Sequence, residues 1–155
     1  MGDIKDLILP GAVLPRLGAT SKRGVLQALA EALAKEAGVD PRAAFDAVLL
    51  RERLSGTGMG EGVAIPHARI AGLTRPVGGF ARLETPIDFD ALDGRPADLV
   101  FMLLAPADRG ADHLKALARV SRAFRRPAVR ERLRGARGLE DLQAVFESSL
   151  KSDAA

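Results

Sequence analysis

The chain contains two histidines, His67 and His113, and their positions favour chemistry on an anion. His67 follows a short apolar stretch that predicts a strand, and His113 lies in the first turn of a predicted helix. Ligands of α/β sheets gather outside the carboxyl ends of strands, and a helix start offers unpaired N–H groups to an anion. A neutral imidazole presents one ring nitrogen as a nucleophile while a hydrogen bond holds the other. The two side chains therefore suit transfer of a phosphoryl group.

Positive charge for such a group is expected from Arg51, in the last turn of a predicted helix. Phosphoryl transfer needs in-line positioning and positive charge around three equatorial oxygens. A guanidinium about 4 Å from a unit negative charge gains roughly 4 kcal/mol at an effective dielectric constant of 20. The other interpretation is structural, because an arginine there also complements the helix dipole. Spacing alone leaves structural roles open for both histidines as well.

A glycine at every second position follows Arg51, which gives any strand formed there one bare face. The glycines are Gly56, Gly58, Gly60 and Gly62. Such a backbone must pass close to another group, and its amides could approach phosphate oxygens. A flexible surface loop is the plainer interpretation.

Helices and short strands alternate along the predicted elements, which indicates an α/β layered domain. One helix is predicted between a cap at Thr20 or Ser21 and a stop at Gly38, and another from Pro41 to about Arg53. The predicted strands are Val63–Pro66, Val77–Leu83 and the apolar run Leu99–Leu104.

Three helices are predicted after the last strand. The first, from Ala111 to Arg126, is expected to bury Leu114, Leu117, Ala118, Ser121 and Phe124. A short basic helix follows Pro127, and a last helix is indicated by Leu139, Leu142, Val145, Phe146 and Leu150.

Length and composition predict a single domain over residues 1–155. Apolar residues make up 47% of the chain and charged residues 28%, as in a soluble globular protein. The chain has no cysteine, its start carries acidic residues, and the longest apolar run, Leu99–Ala105, has seven residues. A cytoplasmic protein without membrane insertion is expected.

Other function classes find little support in the sequence. No phosphate-binding glycine motif of nucleotide-binding proteins has the required spacing. A metal site would need Asp108 or Asp112 beside the two histidines, so neither a metal nor another cofactor is expected. The region 115–137 has nine basic residues against Glu131 alone, which leaves nucleic-acid binding open. Phe124 is its sole aromatic residue, so a solvated face or docking to an acidic protein is the simpler interpretation.

Three separated segments carry a family resemblance. Residues 51–69, RERLSGTGMGEGVAIPHAR, resemble the phosphorylation-site region of enzyme IIA of the fructose and mannitol class, in the bacterial phosphotransferase system. Residues 83–108 and 112–124 resemble the following strands and the second-histidine helix of the same family. The resemblance implies a single enzyme IIA-type domain with its core at about 4–147, built as a mixed β-sheet flanked by helices on its faces.

The resemblance also implies residue roles. His67 would be the phosphoryl acceptor, His113 would stabilise the phosphoryl group, and Arg51 would supply positive charge. The family commonly reads Gly-Ser-Thr where this chain has Ser55-Gly56-Thr57. A serine contact is therefore not carried over, and Thr57 and Gly58 are the phosphate-contact candidates.

The resemblance implies a phosphorylated HPr-like protein as donor. The length of the chain favours the stand-alone, nitrogen-regulatory branch, whose members act on other proteins according to their phosphorylation state. A separately encoded, sugar-specific IIA that passes phosphate to a IIB domain is the alternative.

Overall fold

A computed structural model describes residues 4–149 and shows a mixed, six-stranded sheet with helices on both faces. In chain order the elements are β1 Ile8–Leu17, α1 Lys22–Ala37, α2 Pro41–Leu54, β2 Gly58–Gly60, β3 Val63–Ala64, β4 His67–Ile70, β5 Val77–Ile87, β6 Ala97–Pro106, α3 Gly110–Arg125, α4 Pro127–Gly135 and α5 Leu139–Ala144, followed by a π-helical turn, Val145–Ser149. Leu150, expected in the last helix, lies outside the described residues.

The strands lie in the order β1-β5-β6-β3-β2, and β4 pairs with β6 beyond the end of β3. Strand β6 is antiparallel to β5 and parallel to β3 and β4, while β1 is parallel to β5. Both kinds of pairing therefore occur, which confirms the mixed sheet expected from the family resemblance.

Local sequence signals set the limits of the first two helices. The Ser21 side chain caps α1, and Gly38 ends it with φ at 76°, a left-handed conformation that favours glycine. Asp40 caps α2, and Pro41 occupies its first turn, where the missing N–H has no helical partner to lose. Arg51 consequently lies in the last turn of α2, as predicted.

Two apolar cores attach the helices to the sheet. Helices α1 and α2 cover one face, and α3, α4 and α5 cover the other. Strand β6 serves both cores, because Val100, Met102 and Leu104 point to the first and Leu99, Phe101 and Leu103 to the second. This two-sided burial explains the uninterrupted apolar run that predicts the strand.

Strand prediction is incomplete. The sequence does not indicate β1, β2 or β4, and β5 continues to Ile87, four residues beyond its predicted end at Leu83. Strand β1 carries Pro10 and Pro15 and has no regular alternation of buried residues. It pairs with β5 alone at one edge of the sheet, the place where a strand tolerates proline.

The predicted buried face of α3 is wrong in part. Its buried residues are Ala116, Val120, Ala123 and Phe124. Leu114 is 66% exposed instead, because α3 turns its two alanines towards the sheet and Leu114 towards a surface pocket. The rotation matters for the site, since Leu114 and His113 line the same pocket.

Candidate functional site

The two histidines lie side by side. His67 is the first residue of β4, and His113 is in the first turn of α3. Strand β4 pairs with the second half of β6, opposite Leu103 at His67, and α3 follows the end of β6. The ring centroids of His67 and His113 are 5.4 Å apart, with planes tilted by 48°. Parallel pairing of β4 on β6 therefore unites residues 46 positions apart in the sequence.

Both rings line a pocket of about 670 Å³. Arg51 from α2 and Arg69 from β4 line it as well. Three leucines with large exposed surfaces complete its rim: Leu50 at 63%, Leu54 at 77% and Leu114 at 66%. The pocket thus combines two nucleophile candidates and two cations with an apolar border.

The ring of His67 is held in one tautomer. Its Nδ1 donates a hydrogen bond to the carbonyl oxygen of Ile65 at 2.8 Å. A carbonyl oxygen can only accept, so Nδ1 carries the proton and Nε2 keeps its lone pair. His67 is therefore presented as a nucleophile through Nε2.

Both histidines are neutral at pH 7. Burial lowers the pKa of His67, and the charge of Arg51 lowers it further, against the opposing effects of the Ile65 carbonyl and Glu52. Burial also lowers the pKa of His113, as do its neighbours His67, Arg69 and Arg51. The unprotonated Nε2 is thus the main form of His67 at neutral pH.

His113 has an incomplete set of partners. Its Nδ1 is buried and has no hydrogen-bond partner among the described residues. Leaving a buried polar group unpaired costs about 1–3 kcal/mol. An anion bound next to His67 would offer this ring a hydrogen-bond acceptor that residues 4–149 do not supply.

Arg69 is a site residue that the sequence alone does not indicate. It lies two positions after His67 in β4, so the two side chains point to the same face of the strand. Its side chain has no hydrogen bond or ion pair within residues 4–149, whereas Arg51 donates from Nη1 to the Ser55 carbonyl at 2.7 Å. The spacing of Arg69 from His67 is the signal that could have identified it.

Thr57 and Gly58 form hydrogen bonds away from the pocket. Thr57 donates from its backbone N–H and from Oγ1 to Glu52, at 2.8 and 2.5 Å. The N–H of Gly58 donates to the carbonyl of Phe89 at 2.9 Å, and a Cβ on Gly58 would lie 2.7 Å from that oxygen. The group that the glycine backbone approaches closely is therefore the chain at Phe89. Neither Thr57 nor Gly58 lines the pocket.

Within residues 4–149, no group of three or more histidine, aspartate or glutamate side chains is placed to hold a metal ion. None of the helices in this range has the combined length and apolar character needed to cross a bilayer.

Comparisons with known proteins identify the family of the chain. A family model for the phosphoenolpyruvate-dependent sugar phosphotransferase system, EIIA 2, matches residues 7–149. A nitrogen regulatory protein of Bradyrhizobium diazoefficiens is 49% identical over 143 residues, 92% of each chain. A PTS system fructose-specific EIIA component of Haloferax volcanii is 45% identical over 128 residues, 81% of this chain and 82% of its own.

A solved structure extends the comparison to the fold. The nitrogen regulatory protein IIA-Ntr of Neisseria meningitidis superposes with a TM-score of 0.84 at 31% identity, covering 92% of this chain and 98% of its own. The chain therefore belongs to the EIIA type 2 family of the phosphotransferase system. Nitrogen regulatory proteins and a sugar-specific component are both among its relatives.

Proposed function

We propose that this protein accepts a phosphoryl group on Nε2 of His67 from a phosphorylated HPr-like protein. We further propose that it acts on other proteins according to its phosphorylation state, as a regulatory IIA of the cytoplasm. The observation that carries the proposal is the fixed ring of His67, whose Nδ1 is held by Ile65 while Nε2 is free beside two arginines and His113.

The transfer needs no proton to leave His67. The lone pair of Nε2 attacks phosphorus as the bond between phosphorus and the donor's side chain breaks, and the product keeps its proton on Nδ1. Arg51 and Arg69 neutralise the equatorial oxygens, and His113 donates a hydrogen bond to one of them. No cofactor takes part.

A protein donor fits the border of the pocket. Leu50, Leu54 and Leu114 place exposed apolar surface around the two histidines. Apolar surface with a polar and charged surround is typical of protein docking sites. A docked carrier would also exclude water from the phosphoryl group during transfer.

The 49% identity with a nitrogen regulatory protein over 92% of both chains supports the regulatory role. A second candidate is a sugar-specific component that passes the phosphoryl group to a IIB domain. The 45% identity with a fructose-specific EIIA component favours this candidate. Both candidates share the phosphorylation of His67 and differ in the protein that responds.

Phosphoryl uptake can be tested with purified components. The protein is incubated with phosphoenolpyruvate, enzyme I and an HPr-like carrier, and its mass is followed. We expect a gain of one phosphoryl group that is labile to acid, stable to base and located on the peptide with His67. No gain in mass, or a base-labile product, would contradict the proposal. Transfer onward to a IIB domain of the same cell would favour the sugar-specific candidate.

A further inference from the structure

A buried carboxylate lies beneath the site and has no role in the transfer described above. Glu52 is only 4% exposed, although it follows Arg51 directly in α2. It occupies the apolar stripe of the helix, four residues after Val48. A carboxylate in such a position costs free energy unless donors surround it. The hydrogen-bond donors around Glu52 therefore identify the residues that it positions.

Three donors reach the two oxygens of Glu52. Oε1 accepts from Thr57 Oγ1 at 2.5 Å, and Oε2 accepts from the Thr57 backbone N–H at 2.8 Å. Lys22, at the start of α1, donates to Oε2 at 3.2 Å and to Asp90 at 3.0 Å. Glu52 therefore shares the positive charge of Lys22 with Asp90, and both donors of Thr57 are fixed on the Glu52 carboxylate.

Hydrogen bonds continue from Thr57 to the nucleophile. The carbonyl of Thr57 accepts from the N–H of Ile65 at 3.1 Å. The carbonyl of Ile65 accepts from Nδ1 of His67 at 2.8 Å. An unbroken series of short contacts therefore joins Glu52 to the ring nitrogen that selects the tautomer of His67.

The same turn also holds the cation. Arg51 donates from Nη1 to the carbonyl of Ser55, two residues before Thr57. On its other side the turn packs on the chain at Phe89, whose carbonyl oxygen would lie 2.5 Å from a Cβ on Gly56. Fixing Thr57 on Glu52 therefore constrains the partners of both His67 and Arg51.

We propose that Glu52 is a positioning residue that, through Thr57 and Ile65, keeps the proton of His67 on Nδ1 and so directs phosphorylation to Nε2. The tautomer part of this proposal is independent of phosphoryl transfer, while its consequence for transfer rests on the proposed function. Because Nε2 must be aligned with phosphorus, a small misplacement of the ring is expected to slow transfer by about tenfold to a hundredfold.

The test compares Glu52→Ala with Val48→Ala, a matched loss of buried volume one turn earlier on the same helix face. Ring ¹⁵N shifts of His67 report its tautomer in the unphosphorylated protein, and mass spectrometry reports uptake. In Glu52→Ala we expect a mixture of tautomers and slower uptake per folded molecule. In Val48→Ala we expect lower stability with the tautomer and the uptake rate unchanged.

Conservative variants keep the test decisive if Glu52→Ala does not fold. Thr57→Val removes only the hydroxyl contact and is expected to increase the minor tautomer, whereas Thr57→Ser is expected to retain the wild-type tautomer. Wild-type ring shifts and uptake in both Glu52→Ala and Thr57→Val would overturn the proposal. Altered shifts in a protein whose wild type takes up no phosphoryl group would refute the proposed function and retain the positioning role.

Discussion

Two arginine-lined pockets differ in what their guanidinium groups bind. In a cavity of about 460 Å³ near α4, Arg82 donates to the carbonyls of Leu133 and Ala136, and Arg134 donates to Asp98. In the histidine pocket, Arg69 has no partner within residues 4–149. A guanidinium satisfied by protein acceptors stabilises the fold, whereas an unsatisfied one is available to an anion. Arg69 therefore differs from Arg82 and Arg134 in having no side-chain partner among the described residues, although all three are arginines.

The same distinction explains part of the basic region at 115–137. Arg119 pairs with Asp6, and Arg130 donates to the carbonyls of Phe124 and Arg125. Together with Arg134 these side chains hold α3 and α4 against the rest of the protein. Arg119, Arg130 and Arg134, three of the nine basic residues of this region, therefore have acceptors among the described residues.

The largest expected effect is that of His67→Ala. This variant removes the proposed nucleophile, so uptake of a phosphoryl group should fall to zero while the protein remains folded. Mass spectrometry after incubation with the carrier system measures uptake, and circular dichroism serves as the folding control. Acid-labile label that persists in the folded variant would refute the assignment of His67.

Arg51→Ala should slow uptake without loss of fold. Removing one positive neighbour from a charged transition state can cost on the order of 10² in rate. Single-turnover uptake at saturating carrier measures the loss. An unchanged rate would leave Arg51 with its contact to the Ser55 carbonyl as its sole described role.

Arg82→Ala is the contrasting change in the other pocket. Hydrogen bonds that involve a charged group contribute about 1.5–3 kcal/mol each, so the variant should lower the free energy of unfolding by about that amount or more. The rate of phosphoryl uptake per folded molecule should not change. Denaturant unfolding and uptake kinetics on the same sample separate the two effects, and a slower uptake with intact stability would abolish the contrast between the pockets.

His113→Ala should retain uptake of one phosphoryl group, at a reduced rate or with a shorter-lived product. The proposed role is donation to a phosphoryl oxygen, and the ring is not a second acceptor. Uptake kinetics and the decay of the labelled protein measure the effect. Label on the wild-type peptide that contains His113 would contradict the role, and so would wild-type rate and lifetime in the variant.

The sequence predicts the elements whose signals are local. Ser21, Gly38 and Pro41 fix the ends of α1 and α2 through caps and backbone preferences, and these predictions are confirmed. Strand β1 depends on pairing with a distant strand, and the face of α3 depends on packing against the sheet, so neither has a local signal.

The site residues also divide into those that the sequence indicates and those that only the folded structure reveals. The family resemblance singles out His67, His113 and Arg51, and the structure brings them into one pocket. Glu52 could not be assigned from the sequence, because its importance depends on its burial and on its partners in the folded chain. The spacing of Arg69 from His67 indicates a shared face of a strand, but only the structure shows that its side chain has no partner within residues 4–149. Whether a charged side chain has partners, and which ones, is a property of the fold.

Charge at the histidine pocket should also be measurable as pH dependence. The pKa of each histidine is lowered in the folded state. Between this lowered pKa and the ordinary histidine pKa of about 6.5, the unfolded chain therefore binds more protons than the folded chain. Stability is therefore expected to rise with pH from the folded-state pKa values up to about 6.5, and to be lost as pH falls through this window.

An NMR titration in Arg69→Ala sharpens the expectation. The pKa of His113 should rise, because Arg69 is one of the charges that lower it. Arg53→Ala, an exposed arginine of α2 outside the pocket, is the matched control and should leave it unchanged. The same pKa of His113 in the wild type and in Arg69→Ala would show that the Arg69 guanidinium does not act on the His113 ring.

The smallest expected effect is binding of the basic region to nucleic acid. Arg119, Arg130 and Arg134 already have protein acceptors, and the exposed remainder has no aromatic side chains interleaved for stacking. Affinity for random duplex DNA should therefore be negligible at physiological salt. Fluorescence anisotropy with a labelled duplex tests this over a range of salt concentrations. Submicromolar binding with a log–log salt slope of about 0.9 per phosphate contacted, abolished in Arg122→Glu/Arg125→Glu, would show that the exposed arginines form a nucleic-acid surface after all.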